Sequence, residues 1–326
     1  MKFSKIEKLA SPELEEAERI IRKMLSEEGG VLHRLGVDAY SEKRKRARPL
    51  TLILTGKSLG YNRGKLSHYG AVVELIHTST LVHDDIIDKA ELRRGKPTLN
   101  RKWGDELSLL FGDQLFLRAL RLALEIGEKD ITSLILKGTL EMIEGEAEEK
   151  IRAGDLALSE EEYLKTVRKK TGALFSLSAE IGTVLGGGDD EMRKAASEFG
   201  YLFGTAFQIA DDILNLTKND DELTKSAGND LPQGKITLPV IYLLEEGGKE
   251  ERKLIENIIK EKTYSSVTRE EVIDALSPVA LNRAYRKAYE LVERANEKLE
   301  AVLPRSEERE ALYELTFLMI ERAKVG

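Results

Sequence analysis

The 326-residue chain contains no cysteine. Disulfides, thiolate catalysis and zinc–thiolate sites are therefore excluded. Proline is scarce, 7 in all, and none falls between Pro97 and Pro232. No apolar run approaches the roughly 20 residues that span a bilayer. The stretch from Met1 to Ile20 has no apolar core of signal-peptide type. An integral membrane segment is not expected, and a cytoplasmic enzyme fits. Positive charge is not in excess either: 51 Lys and Arg face 58 Asp and Glu, a net charge of −7, which argues against nucleic acid as a partner. Any anion site must be a local basic patch on an acidic protein.

What is present is a helical pattern nearly throughout, with no convincing strand alternation or hairpin signal. Ser11-Pro12-Glu13 reads as N-cap, first helical position and acidic first turn. Ser159 with Glu162, and Thr268 with Glu271, read as capping boxes. Breaks fall at Gly29-Gly30, Gly186-Gly187-Gly188, Asn219-Asp220-Asp221 and Gly247-Gly248. No long Ser/Pro/Gly linker parts the chain. The expectation is one all-α domain over residues 1–326.

Two acidic clusters stand out, Asp84-Asp85-Ile86-Ile87-Asp88 and Asp211-Asp212-Ile213-Leu214-Asn215. On a helix the first and last members of each share one face. Like charges at that spacing repel, so both clusters ask for a cation. Oxygen ligands without cysteine suit a hard ion, Mg²⁺ above all, which is usually shared between one or two carboxylates and substrate phosphates. The expected ligand is a phosphorylated substrate between two helices.

Cations accompany each cluster. His77, Thr80, Asp84 and Asp88 form one polar stripe in an otherwise apolar helix, with Arg93-Arg94-Gly95-Lys96-Pro97 downstream and Lys43-Arg44-Lys45-Arg46-Ala47-Arg48-Pro49 upstream. Near the second cluster stand Arg168-Lys169-Lys170-Thr171-Gly172, Gln208, Lys225 and Lys235. Arginine and lysine are the residues that bind diphosphates. Singly, each would pass for a solvated surface residue, and His83 reads as packing or helix surface. Thr55-Gly56-Lys57-Ser58 imitates the end of a P-loop, but Thr51 stands where that motif needs glycine and no strand precedes it.

Six ordered blocks resemble the trans-prenyl diphosphate synthase (polyprenyl synthetase) family over roughly residues 40–245. They are Lys45 to Pro49, Glu74 to Asp88, Arg93 to Pro97, Lys170 to Phe175, Gln208 to Asp212, and Gly228 through Gly234-Lys235-Ile236-Thr237-Leu238-Pro239. The region after about residue 250 contributes only helical character. The resemblance implies an all-α bundle of about ten or more helices around a deep central cleft, usually a homodimer. By position, Asp84, Asp88 and Asp211 would be Mg²⁺ ligands, with Asp85 and Asp212 supporting and up to three ions per site. Lys45, Arg48, His77 and Arg94 would hold isopentenyl diphosphate. Arg93, Lys170, Thr171, Gln208, Lys225 and Lys235 would hold the allylic diphosphate, for example farnesyl diphosphate. Two departures from the family pattern are Lys43-Arg44 in place of Gly-Gly and Asn215 in place of the commoner aspartate.

The implied reaction is ionisation of the allylic diphosphate followed by attack of the isopentenyl double bond. Thr171 and Gln208 offer oxygens that steady the cation, and the departing diphosphate is the base. The growing tail is expected to run along the first aspartate helix, past Thr80, Ser79 and Ile76, with Val73 deeper. In the family an aromatic four or five positions before the first aspartate stops growth, and none is present here. The expected product is beyond C15, near C30–C40. Phe111 or Phe116 from an opposing helix would stop it earlier, and C20 stays open. A class I terpene cyclase is disfavoured because Gly228 stands where its second motif needs glutamate, and a head-to-head synthase because Asn215 breaks its second motif. A subunit inactive without its partner stays open as an alternative.

Overall fold

The computed structural model describes residues 2–26, 31–39, 46–93, 95–217, 230–263, 271–272 and 277–324, and these segments are helical almost throughout. Three long helices organise them: α5 (Lys65–Ile87), α8 (Lys129–Ile151) and α11 (Asp190–Thr217). Helix α5 is apolar around most of its girth, and Val72, Val73, Leu75 and Ile76 are fully buried. Such a helix must be enclosed by others. Its neighbours are α2 (Ser11–Ser26), α4 (Ala47–Ser58), α7 (Asp105–Ile126) and α10 (Ala173–Leu185).

Helix α11 lies between α10 and α14 (Ser277–Val302). Phe175 of α10 and Phe199 and Phe203 of α11 form an aromatic column, with centroids 4.7 Å apart for Phe175–Phe203 and 5.9 Å for Phe199–Phe203. The approach is close enough to require glycine at 200: a Cβ there would lie 2.4 Å from the Ser176 backbone. The remaining helices are α1 (Phe3–Leu9), α3 (Val31–Ala39), α6 (Leu99–Trp103), α9 (Glu160–Val167), α12 (Leu238–Glu246), α13 (Lys249–Glu261) and α15 (Glu307–Glu321). One apolar core runs through them from Ile6 to Ala323.

Local signals held in part. Ser159 and Glu162 form the expected capping box of α9. At the first helix pair the cap differs: Ser11 is already helical, and Ala10 takes the boundary, its carbonyl accepting from the Leu14 N–H at 2.9 Å. Burial of Ile6 and Ala10 ties α1 and α2 into the core and outweighs the serine's capping preference. A hairpin also exists, Leu92–Arg93 paired antiparallel with Lys96–Pro97 around Gly95 at φ +73°. Two-residue strands are too short to leave an alternation in sequence. The Thr268 cap lies outside the described residues.

Candidate active site

Helices α5 and α11 each present one open stripe. On α5, His77, Thr80, Asp84 and Asp88 are half-buried, while Thr78, Ser79, Val82 and Asp85 between them are buried. On α11 the stripe is Phe207, Gln208, Asp211 and Asn215, with Asp212 buried beneath it. Consecutive residues on a helix point about 100° apart. The middle aspartate of each cluster therefore turns away from the site. Asp85 accepts a two-pronged ion pair from Arg93, at 2.7 and 2.9 Å. Arg93 is thus directed at Asp85. Asp88 pairs with Lys150 of α8 at 2.5 Å. Asp211 pairs with Arg322, which follows the last turn of α15 and also lies over the Phe207 ring, 5.1 Å from its centroid.

The lysines come from a different construction. Arg168–Gly172 form a π-helical turn between α9 and α10, a local widening frequent at functional sites. Helix α8 approaches this turn at Gly145, where a Cβ would lie 2.4 Å from the Lys170 backbone nitrogen. The approach brings Glu146 and Glu149 to Lys170 at 2.7 and 2.5 Å. Lys235 reaches Glu149 at 3.7 Å and Asp230 at 3.6 Å. Burial and the Lys235 charge act to lower the Lys170 pKa, but Glu149, Glu146 and Asp84 outweigh them and leave it raised. Burial likewise acts against Lys235, which Asp230, Glu149, Asp88 and Asp212 hold well above its usual value. Glu149 is held at about 2 by these two ammonium groups against the opposing effect of burial. Both lysines are fully charged at neutral pH.

Arg48 completes the other side. Its guanidinium bonds His77 Nε2 at 2.9 Å and stacks 4.7 Å from the Phe175 centroid. Burial lowers its pKa to about 10, against the charges of Glu74, Asp211 and Asp84. Arg48 therefore senses both aspartate clusters at once. Its neighbour Arg46 has a structural task, pairing with Glu74 at 2.6 Å and Glu18 at 2.9 Å.

A polar chain runs beneath the second cluster. The Tyr163 hydroxyl donates to Asp212 Oδ2 at 2.5 Å, Gln208 Nε2 donates to Asp212 Oδ1 at 2.8 Å, and the Thr171 hydroxyl donates to Gln208 Oε1 at 2.8 Å. Burial pushes the Asp212 carboxyl up to about 7, with Asp230 adding to the rise and the Tyr163 and Gln208 bonds opposing it.

Of the chain-length residues, Thr80 lies on the open stripe. Ser79 is turned into α7, where its hydroxyl donates to the Gly112 carbonyl at 2.8 Å, and Ile76 is fully buried. Phe111 is fully buried and Phe116 half-buried on α7. Lys45, Arg94 and Lys225 lie outside the described residues. Sequence reasoning missed Glu146, Glu149, Lys150, Tyr163 and Arg322. A glycine–glutamate pair followed three residues later by a second glutamate was the signal for α8, hidden inside an acidic run. Arg322 left no local signal.

The donors fit a hard divalent ion: Asp84, Asp88 and Asp211 offer oxygen alone. Among the described residues no three Asp, Glu or His side chains converge to enclose an ion. An ion at either cluster would draw further ligands from water and phosphate oxygens, as Mg²⁺ commonly does.

The sequence pattern of the Polyprenyl synthetase family matches residues 31–276. The chain is 31% identical over 322 residues to an octaprenyl diphosphate synthase from Haemophilus influenzae, covering 99% of this chain and 98% of that protein. It is also 31% identical over 295 residues to heptaprenyl diphosphate synthase component 2 from Bacillus subtilis, covering 88% of this chain and 85% of that one. Among solved structures, a polyprenyl synthase from Caulobacter crescentus CB15 complexed with calcium and isoprenyl diphosphate superposes with a TM-score of 0.92. The two are 30% identical, over 99% of this chain and 98% of that one. Family pattern, full-length relatives and fold agree: the chain belongs to the polyprenyl synthetase family and is a trans-prenyl diphosphate synthase.

Proposed function

We propose that the chain joins isopentenyl diphosphate head-to-tail to an allylic diphosphate such as farnesyl diphosphate, using Mg²⁺, and extends the product to about C30–C40. The observation that carries the site assignment is convergence. Arg48 lies in the fields of Asp84 and Asp211, and Lys170 lies in the field of Asp84, so two cation sets and both acidic stripes face one space.

In this reading Lys170 and Lys235 hold the allylic diphosphate, and Arg48 with His77 holds the isopentenyl diphosphate. Lys45, Arg94 and Lys225 belong to the same two sets by position. The bound divalent ions, up to three per site, neutralise charge that grows on the leaving diphosphate. The lysines add to that stabilisation, which strengthens toward the transition state as the C–O bond breaks. Thr171 and Gln208 present oxygens to the allylic cation. Fixing the isopentenyl double bond against it supplies much of the rate, because neither partner is a strong nucleophile. A new C–C bond forms, and the departing diphosphate takes the proton.

Thr80, small and on the open stripe, leaves the tail room to pass along α5. The whole chain acts as one unit, supported by its continuous core. Leu110, Leu117 and Leu124 recur every seventh residue on α7 at 55%, 64% and 66% exposure, and Leu136, Leu140 and Ile143 follow on α8. A stripe of that kind is more than scattered surface leucines, and we assign it to the contact between two copies of the chain. No described helix is long and apolar enough to cross a membrane. Water-soluble diphosphate substrates are consistent with a cytoplasmic location. A second reading, a catalytic subunit that needs a partner, is favoured by the name of the Bacillus subtilis relative.

The test is an assay of the pure protein with Mg²⁺, labelled isopentenyl diphosphate and C5, C10 or C15 primers. Products are dephosphorylated and sized by reverse-phase chromatography. A ladder ending at a defined polyprenol supports the proposal, and Thr80→Phe should shorten it. No incorporation by folded protein supports the partner-dependent reading. An unchanged product length in Thr80→Phe would remove Thr80 from the tail's path.

A further inference from the structure

Asp212 sits in a motif of metal ligands but is built for something else. It is 5% exposed, and both of its oxygens are engaged inside the protein, by Tyr163 of α9 and Gln208 of α11. We propose that Asp212, backed by Tyr163, is a positioning residue that sets the direction of the hydrogen bonds at Gln208 and Thr171. The inference rests on the prenyl-transfer reading above, in which those two side chains face the allylic cation.

The direction follows from donor chemistry. Both Asp212 oxygens accept, one from the Tyr163 hydroxyl at 2.5 Å and the other from the Gln208 amide at 2.8 Å, so the NH₂ end of Gln208 is the end that faces Asp212. The Gln208 carbonyl is then forced toward the Thr171 hydroxyl, at 2.8 Å, and accepts its proton. Thr171 is left with lone pairs for the site. That is the sign a carbocation needs. With the amide reversed, Gln208 would donate to Thr171, and the threonine proton would be released toward the cation. Tyr163, itself 5% exposed, occupies the second Asp212 oxygen and keeps the carboxylate from turning. Three separate segments thus meet in one directed chain: α9, the π-helical turn and α11.

Asp212→Asn tests the direction with little change of shape. The new amide accepts from Tyr163 and donates to Gln208, whose own amide must reverse. We expect kcat to fall by about 10–100-fold, below the 100–1,000-fold loss typical of deleting a direct electrostatic contact. KM for both diphosphates should stay within about twofold, because the lysines and arginines that bind them are untouched. The decisive control is Asp212→Asn combined with Gln208→Glu. Here residue 208 accepts from both sides, the Thr171 bond regains its direction, and the total charge equals that of the wild type. Most of the lost kcat should return.

Calorimetric titration with Mn²⁺ in the presence of inorganic diphosphate, without turnover, gives an independent readout. Metal affinity should be unchanged in Asp212→Asn, whereas a tenfold or greater loss would make Asp212 a ligand and overturn the inference. Unchanged kcat, or no recovery in the double variant, would overturn it as well. If Asp212→Asn does not fold, Tyr163→Phe serves instead: a kcat loss at constant KM supports the inference, and wild-type kinetics refutes it. Failure of the underlying reading looks different, since wild-type protein would then make no polyprenyl product.

Discussion

Replacing Glu149 by glutamine should destabilise the protein by about 3 kcal/mol at neutral pH, and the loss should fade in acid. The carboxylate lies 2.5 Å from the Lys170 ammonium and 3.7 Å from that of Lys235. Its side chain is 21% exposed, so solvent screens only a small share of these contacts. The two cations hold its pKa at about 2, against roughly 4.3 for an unfolded chain. A depressed folded-state pKa contributes stability that is full above the unfolded value and is lost as pH falls through the folded one. The difference amounts to about 3 kcal/mol at pH 7 and about 1.4 kcal/mol at pH 3. Glutamine copies the neutral acid, so the gap between the two proteins should follow the same curve. In the variant Lys170 keeps Glu146 at 2.7 Å and Lys235 keeps Asp230 at 3.6 Å, so neither lysine is stranded. Urea unfolding midpoints measured from about pH 3 to 8 supply the comparison. A gap that does not narrow toward low pH would refute the electrostatic account of this cluster.

Arg46→Met removes the buried guanidinium that pairs at 2.6 Å with Glu74, itself 3% exposed. That should cost about 3–5 kcal/mol. With roughly 2 cal/mol/K of unfolding entropy per residue, the calorimetric melting temperature should drop by about 4–7 °C; no measurable drop would show the pair to be inert. Gly200→Ala drives a methyl group into the Ser176 backbone at 2.4 Å and should lower stability by about 1–3 kcal/mol in urea, whereas a neutral result would mean the α10–α11 crossing can open. Arg322→Gln removes the cation paired with Asp211, which the proposed function makes a metal ligand, so the pair and the metal would compete for the same carboxylate. An ion pair this exposed is worth about 0.2–1 kcal/mol, so calorimetry with Mg²⁺ and inorganic diphosphate should show up to about fivefold tighter metal binding. Weaker binding would mean that Arg322 assists the metal rather than opposing it.

Much of the site was legible in the sequence because it is carried by helix periodicity. His77, Thr80, Asp84 and Asp88 share a face for a local reason, and the structure leaves that face open. The capping box at Ser159 and Glu162 is equally local. Legibility ended where a partner arrives from far along the chain. Glu149 is one carboxylate in an acidic run until Gly145 lets α8 reach the π-helical turn. Tyr163 precedes Asp212 by 49 residues, and Arg322 follows Asp211 by 111. No spacing rule links such pairs. Asp85 and Asp212 read like their neighbours within each motif, yet burial gives them different partners, Arg93 for one and Tyr163 with Gln208 for the other.

The sequence by itself determined the all-α fold, the two acidic stripes and the hard-ion chemistry of their oxygens. Those properties depend on residue type and on contacts within a helical turn or two. Only the tertiary structure decided which charges neutralise one another, which aspartates are open, and which way Gln208 points. Those properties depend on distance and burial, and the energy of a charge or a buried hydrogen bond is set by what surrounds it in space.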